Sequence, residues 1–192
     1  MTERRVIVIA GVPGVGKTTV AGAVAERLGG PVIGVSELAV KEDALLGRDR
    51  ERETDIVDLP RLKKIIAKAI AATDGPIIVE GHFAYGVVPS DLVSHALILR
   101  RAPWVLKEEL RERGYSDEKT RENVEAELLD VTLIEAIEAL GPDLVCETDT
   151  TGRTPEETVR EVLSIVEGST PCRRKLVDWL GSPETRALLE GG

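Results

Sequence analysis

A glycine-rich octapeptide near the start of the chain has residue types and spacing suited to binding phosphate. Residues 11–18 read GVPGVGKT and fit the pattern G-x-x-x-x-G-K-[ST], which in phosphate-binding loops follows a strand and opens a helix. Glycines let successive N–H groups converge on one anion, and the following helix adds the positive end of its dipole. The motif therefore predicts a nucleoside triphosphate site, with Lys17 at the β- and γ-phosphates and the Thr18 hydroxyl on Mg²⁺.

An acidic residue ends the third predicted strand at residue 80, and a histidine follows at residue 82. Because functional sites of doubly wound sheets lie at the carboxyl ends of strands, we expect Glu80 near the phosphate loop. A carboxylate there can hold Mg²⁺ through water or orient an attacking group. His82 could polarise a water or contact a phosphate. The alternatives are a surface carboxylate and a loop histidine bonded to the backbone.

Cations at the ends of later elements could close over transferring phosphates. Arg100 ends the fourth predicted strand, a good position for clamping phosphate. Arg113 and Lys119 lie in the joint after the next helix, where cations can stabilise charge and expel water. Each could instead be an ordinary solvated charge. Arg153 and Thr154 follow the last strand, where the chain of nucleotide folds often passes the adenine ring, and Thr154 is also a good helix N-cap.

Five short apolar runs read as buried parallel strands that alternate with helical patterns. The strands are predicted at residues 5–10, 31–35, 76–80, 95–99 and 143–147. The helices are predicted at residues 18–28, 59–72, 102–113, 121–140 and 155–167. Runs rich in Val, Ile and Leu without polar alternation are typical of strands covered on both faces. The pattern predicts an α/β fold with a doubly wound parallel sheet.

Two segments interrupt this alternation. Residues 36–58 are highly charged, above all at 47–53, and too long for a plain connection, so they form either a functional cover or a disordered insert. In the second segment Gly114 can end one helix and Ser116 can cap the next. We expect one domain over residues 1–168 and a helical C-terminal extension over residues 169–192.

Composition limits the class of protein. The 192 residues carry a net charge of −9, which argues against direct nucleic-acid binding through a basic surface and would suit a basic protein partner. No apolar run approaches the roughly 20 residues that cross a bilayer, and the N-terminus offers no signal peptide, so we expect a cytoplasmic protein without membrane contact.

The two cysteines, Cys146 and Cys172, leave two possibilities open. Free thiols are the default for a cytosolic chain, and a disulfide that fastens the tail is the alternative. The chain has no Gln and only one Asn. This depletion of thermolabile residues, with many Glu and Arg, suggests a thermophilic source, which raises the second possibility without establishing it.

Several motifs together resemble one family. They are the phosphate loop, the segments VEGH (79–82), LR (99–100), ERGYSDEK (112–119) and ENV (122–124), and Glu127. In this order they resemble the archaeal and eukaryotic adenylate kinase family whose eukaryotic members are of the isoenzyme six type. The resemblance covers about residues 6–166. It implies a P-loop nucleoside monophosphate kinase with a five-stranded parallel sheet, a monophosphate-binding insert at about 34–58 and a short lid at about 112–122.

The resemblance also implies an activity and a partner. The activity is phosphate transfer from ATP to AMP or another nucleoside monophosphate, with a side ATPase activity. The partner is a basic ribosomal protein of the S-eleven type, in late maturation of the small ribosomal subunit. The implied ATP-binding residues are Gly14, Val15, Gly16, Lys17, Thr18, Thr19 and the lid residue Arg113.

The chain departs from the family pattern at two positions. Glu80 stands where relatives often have Asp. Glu109 stands where they often have an arginine, and this change removes one cation from the implied phosphate clamp. Two other functions stay open: an ATPase assembly factor with little kinase activity, and a small-metabolite kinase of similar fold. A GTPase is disfavoured because the chain has no Asn-Lys-x-Asp signature.

Overall fold

The computed structural model describes residues 5–49 and 54–190. The strands in chain order are β1 (Val6–Ala10), β2 (Val32–Gly34), β3 (Leu45–Asp49), β4 (Thr54–Val57), β5 (Ile77–Glu80), β6 (Val93–Arg100) and β7 (Val145–Asp149). The helices are α1 (Lys17–Leu28), α2 (Val35–Lys41), α3 (Leu59–Ala71), α4 (Pro103–Glu112), α5 (Asp117–Leu128), α6 (Val131–Leu140), α7 (Pro155–Val166) and α8 (Pro183–Glu190). None of the helices in these ranges is long and apolar enough to cross a membrane.

The five predicted strands form one parallel sheet, as expected. Its order is β2-β5-β1-β6-β7, so β1 lies in the centre between β5 and β6. The side chains of β1 are all buried because helices cover both faces of the sheet. The order places the carboxyl end of β1, where the phosphate loop begins, beside the ends of β5 and β6. The residues that end these two strands are therefore candidates for the site.

Alternate residues of β1 belong to two separate cores. Val6 and Val8 pack with α3 and α6 on one face of the sheet. Ile7 and Ile9 pack with α1, α4 and α7 on the other face. Because neighbouring side chains of a strand point to opposite faces, one short strand anchors both layers and fixes where the loop after it starts.

The charged insert has regular structure where it is described. Helix α2 begins directly after β2, and β3 and β4 form an antiparallel hairpin in which Leu45 pairs with Val57. Both of these residues pack on the core, which holds the hairpin against the domain. Residues 50–53 of the charged run lie outside the described residues.

The prediction of one helix over residues 121–140 is wrong. The structure has two helices, α5 and α6, and the first starts earlier, at Asp117. The break falls at Asp130, whose backbone is left-handed with φ 56°. The side chain of Asp130 forms an ion pair with Arg100. This contact stabilises a backbone conformation that ends α5 and re-aims the chain.

The default expectation of two free thiols is also wrong. Cys146 and Cys172 form a disulfide, with their Cα atoms 5.1 Å apart. Next to it, the Glu147 N–H donates to the Arg173 carbonyl over 2.9 Å, so the tail runs alongside β7. The tail then reaches helix α4, where Trp179 lies edge-on against Trp104 with ring centroids 5.6 Å apart.

Candidate active site

The phosphate loop lies between β1 and α1, and its glycines have backbone conformations that other residues rarely adopt. Gly14 has φ 96° and Gly16, the N-cap of α1, has φ 93°. A Cβ on Gly14 would lie 2.8 Å from Leu106 Cδ1, because α4 packs directly on the loop. The loop therefore has the open backbone that phosphate binding needs. Val15 is buried beneath it, whereas Thr18 and Thr19 are exposed.

Lys17 is held along the inner side of this loop. Its Nζ donates to the Val12 carbonyl over 2.9 Å. Burial lowers the pKa of Lys17 to about 8, the Glu80 carboxylate raises it in part, and the Arg113 guanidinium lowers it further. The charges of Glu80 and Arg113 therefore both act on Lys17, at the point where the motif predicts the terminal phosphates of a nucleotide.

Glu80 lies at the carboxyl end of β5 and pairs in register with Ile9 of β1. Burial raises the pKa of Glu80 above its ordinary value. The Thr18 hydroxyl donates a hydrogen bond to the Glu80 carboxylate, which lowers the pKa in part. A Cβ on Gly34 would lie 3.3 Å from Glu37 Oε2 and 3.5 Å from Glu80 Oε1, so a second carboxylate faces the same point. A hydroxyl and a carboxylate beside a phosphate loop are oxygen donors that fit Mg²⁺.

His82 joins the other side of the loop. Its Nδ1 lies 3.1 Å from the Gly11 carbonyl, a contact in which the ring nitrogen donates. Although the ring is exposed to the cleft, desolvation by the surrounding loop lowers the pKa of His82. The neutral ring is therefore favoured near pH 7, and its Nε2 carries a lone pair that can accept a hydrogen bond from water or a substrate.

A large cleft of about 920 Å³ opens between the phosphate loop, the hairpin and the start of α5. Pro13 and His82 line it on the loop side, and Thr54 and Ile56 line it on the hairpin side. The residues that line it from the end of α4 through α5 are Arg113, Gly114, Tyr115, Ser116, Lys119, Glu122, Asn123 and Ala126. The volume lies in the range of small-molecule sites.

A smaller groove of about 220 Å³ also borders the phosphate loop. Its lining residues are Gly14, Val15, Gly16, Thr19, Val20, Arg101, Glu109, Arg113, Thr150, Arg153, Pro155 and Thr158. Within the described part of the chain, Arg113 is the one residue that lines both the groove and the large cleft. The large cleft and the smaller groove are the two candidate binding spaces, and Arg113 lies at their boundary. From there it can reach a group on the phosphate loop.

Arg100 is not in the site, and the expectation that it clamps phosphate is wrong. The residue is only 1% exposed. Its Nε donates to Glu127 Oε1 over 2.8 Å and its Nη1 to Glu147 Oε1 over 2.6 Å, and its Nη2 pairs with Asp130. Three carboxylates occupy the guanidinium, so Arg100 joins the sheet to α5 and β7 and has no donor directed at a phosphate.

The two residues predicted near the adenine have different positions. Arg153 lines the groove and forms an ion pair with Glu161. Thr154 caps α7: its Oγ1 accepts from the Glu157 N–H over 3.3 Å, and the Glu157 carboxylate accepts from the Thr154 N–H over 2.8 Å. The capping role proposed from the sequence is confirmed, and Thr154 itself is outside the groove lining.

Two residues at the site were missed by the sequence reasoning. Arg101 follows Arg100 and lines the groove, and Glu37 approaches Glu80. The pair of adjacent arginines was the available signal for Arg101, since two neighbouring side chains at a strand end face opposite ways. No spacing rule marks Glu37, because its approach to Glu80 depends on the path that α2 takes after β2.

The fold and the loop define a P-loop phosphotransferase of the kinase type. A family model described as an AAA domain matches residues 7–130. The chain is 40% identical over 174 residues to a "Putative adenylate kinase" of Thermococcus onnurineus strain NA1, covering 91% of each chain. The chain belongs to this family of archaeal proteins.

Solved structures show the same fold at low sequence identity. A gluconokinase from Sinorhizobium meliloti 1021 superposes with a TM-score of 0.54 at 20% identity, covering 88% of this chain and 95% of that one. A shikimate kinase from Bacteroides thetaiotaomicron superposes with a TM-score of 0.53 at 17% identity, covering 85% and 98%. These likenesses concern the fold alone.

Proposed function

We propose that the protein is a nucleoside monophosphate kinase that transfers phosphate from ATP to AMP and yields two molecules of ADP. The observation that carries the proposal is the position of Arg113 on the boundary of the two binding spaces, beside Lys17. A kinase of this type needs a donor and an acceptor on either side of the transferring phosphoryl group. The name of the archaeal relatives supports the choice of adenosine nucleotides.

The proposed donor site is the phosphate loop with the smaller groove. The loop N–H groups and Lys17 bind the phosphates, and Thr18 and Glu80 would hold Mg²⁺. When bound, Mg²⁺ supplies charge neutralisation for the phosphate oxygens. The nucleoside extends from the loop along the groove, toward Arg153.

The proposed acceptor site is the large cleft. Ile56 and Phe83 offer apolar surface for a base. Lys119 Nζ donates to Thr54 Oγ1 over 3.0 Å and thereby joins the lid to the hairpin across the cleft. Closure of this kind orients the acceptor phosphate for in-line attack and excludes water. The reaction needs little covalent chemistry from the protein, because positioning and charge stabilisation by Lys17 and Arg113 account for it.

A side ATPase activity is the second part of the proposal, and His82 is the residue that favours it. Its neutral ring faces the cleft and can orient a water in place of AMP. A role in maturation of the small ribosomal subunit, through a basic ribosomal protein of the S-eleven type, rests on the family resemblance. The net charge of −9 is compatible with such a partner.

A bisubstrate ligand tests the two-space arrangement directly. Diadenosine pentaphosphate joins two adenosines through five phosphates and can occupy donor and acceptor sites at once. Calorimetry should show one molecule bound per chain, more tightly than ATP or AMP, with a large loss of affinity in Arg113→Ala. Two independent ligands per chain, or affinity no better than that of ATP, would overturn the proposal. Arg27→Ala, an exposed change on α1, is the matched control.

A further inference from the structure

Arg101 is a groove residue whose side chain is fixed at both ends of its guanidinium. Its Nη1 donates to the Thr150 carbonyl over 3.0 Å and to Thr150 Oγ1 over 3.3 Å. Its Nη2 forms an ion pair with Glu109. Its Nε is buried, with no hydrogen-bond partner among the residues that the structure describes. Contacts along its edges hold the planar group in place, and 18% of the side-chain surface is still exposed.

The neighbouring Arg100 sets the direction of this side chain. Arg100 is drawn into the buried carboxylates on one side of the strand end. The Arg101 N–H donates to Glu127 Oε1 over 3.2 Å, so the same network holds the backbone of Arg101. The side chain of Arg101 therefore leaves the strand on the opposite side, where the groove lies.

The position of Arg101 in the groove is at the nucleoside end. The Arg113 guanidinium lowers the pKa of Lys17, so Arg113 lies near the phosphate end of the groove. Arg101 instead contacts Thr150, in the turn that leads from β7 to Arg153 and α7. A nucleotide whose phosphates lie on the loop would bring its nucleoside toward this turn.

The charge of Arg101 also distinguishes it from a phosphate ligand. Its ion pair with Glu109 brings the net charge of the two side chains close to zero. A phosphate group gains little from a cation that is already neutralised, and the Glu109 carboxylate opposes an anion. A flat guanidinium of low net field suits the face of an uncharged heterocyclic base, on which arginine stacks well.

We propose that Arg101 positions the donor nucleotide by packing its guanidinium against the base of ATP, with Glu109 and Thr150 holding it in that orientation. The inference rests on the donor half of the proposed function and is independent of which acceptor is used. It assigns to the strand end a cation that the sequence pattern had placed one residue earlier. It also gives Glu109 a role as the tether of that cation.

Calorimetry with two ligands separates this role from the alternatives. Binding of Mg-ATP and of Mg-tripolyphosphate, which has phosphates but no nucleoside, is compared for the unmodified protein and for Arg101→Ala. We expect Arg101→Ala to weaken Mg-ATP binding about tenfold, the order of magnitude for loss of one stacking contact with a base. Binding of Mg-tripolyphosphate should change less than about twofold, since it lacks the base.

Other variants sharpen the result. Arg101→Lys keeps the charge without the planar group and should lose most of the same affinity for Mg-ATP. Glu109→Gln removes the neutralising charge, so binding of tripolyphosphate should tighten relative to binding of ATP. Arg160→Ala, an exposed change on α7, is the matched control and should leave both affinities unchanged. Thermal unfolding of each variant shows whether it is folded. If Arg101→Ala does not fold, the comparison of the two ligands with Glu109→Gln still tests the inference.

The contradicting results are equally defined. An equal loss for both ligands in Arg101→Ala would make Arg101 a phosphate ligand and overturn the inference. Unchanged affinity for Mg-ATP, or full affinity in Arg101→Lys, would overturn it as well. Failure of the unmodified protein to bind Mg-ATP would overturn both this inference and the proposed function, whereas the other outcomes affect the inference alone.

Discussion

Lys119 and Thr54 join helix α5 to the hairpin beside the larger cleft. The ammonium nitrogen lies 3.0 Å from the hydroxyl oxygen, although 65 residues separate the two in the chain. Lys119 is also held by Glu122 on its own helix, over 3.1 Å. The contact connects the two segments that must move together if the cleft closes on an acceptor.

Removal of this contact should affect the acceptor more than the donor. Because a half-exposed contact contributes up to about 1 kcal/mol, we expect Lys119→Ala to raise the KM for AMP about threefold and to leave the KM for ATP unchanged. Steady-state kinetics with each nucleotide varied in turn provides the measurement. Lys64→Ala on the exposed side of α3 is the control. A parallel rise of both KM values would show that Lys119 acts on the site as a whole.

The affinity for Mg-ATP should depend on pH through Lys17. Burial lowers the pKa of its ammonium to about 8 in the free protein. Since only the protonated form attracts phosphate, affinity should fall as pH rises above about 8, approaching tenfold per pH unit, and binding should take up a proton. In the free protein the folded state loses this proton before the unfolded chain does, so the free energy of unfolding should rise between about pH 8 and the ordinary value of 10.5.

Calorimetry in buffers of different ionisation enthalpy measures both the affinity and the proton uptake. Lys17→Arg keeps its charge over this whole range and is therefore the matched variant. Its profile should be flat between pH 7.5 and 10, whatever its absolute affinity. A profile with the same slope as that of the unmodified protein would assign the titration to another group.

The disulfide between Cys146 and Cys172 should contribute to stability. It closes a loop across a sequence separation of 26 residues, for which restriction of the unfolded chain corresponds to about 3.5 kcal/mol. Cys172→Ser should therefore lower the urea midpoint and the Tm. The unmodified protein with a reductant should behave like the variant, because Cys172 is exposed. If reductant leaves the midpoint unchanged, the bridge is either absent in solution or of no consequence for folding.

Arg100 should matter for folding rather than for phosphate transfer. Its removal leaves Glu127 and Glu147 buried without their cation, a change that typically costs about 3–5 kcal/mol. We expect Arg100→Ala to show a large loss in urea unfolding, with near-normal KM values at a temperature where it is folded. Arg160→Ala should unfold like the unmodified protein. A normal free energy of unfolding together with lost catalysis would show that Arg100 acts in the active site.

Much of this arrangement was predictable because its signals are local. Buried parallel strands read as short β-branched runs, and the loop motif fixes the residues on either side of it. Gly114 and Ser116 end one helix and cap the next, as predicted from their types. Each of these features depends on residues that are neighbours in the chain.

The features that were missed depend on partners far away in the chain. Whether Arg100 or Arg101 faces the core is decided by Glu127 and Glu147, which are 27 and 47 residues from Arg100. The same network stabilises the break at Asp130 that interrupts a helical pattern. The disulfide likewise depends on the path of a tail whose sequence carries little periodic signal. A local sequence pattern cannot distinguish Arg100 from Arg101 as the residue that faces the site, because both side chains have the right chemistry.

The measurement that tests the central claim most directly is ADP formation from Mg-ATP in a coupled assay, with and without AMP, alongside Lys17→Ala. The account predicts a rate that rises strongly with AMP, two ADP formed per ATP consumed, and no AMP-dependent rate in Lys17→Ala. Equal rates with and without AMP, with one ADP and one phosphate formed per ATP, would contradict it and identify the protein as an ATPase.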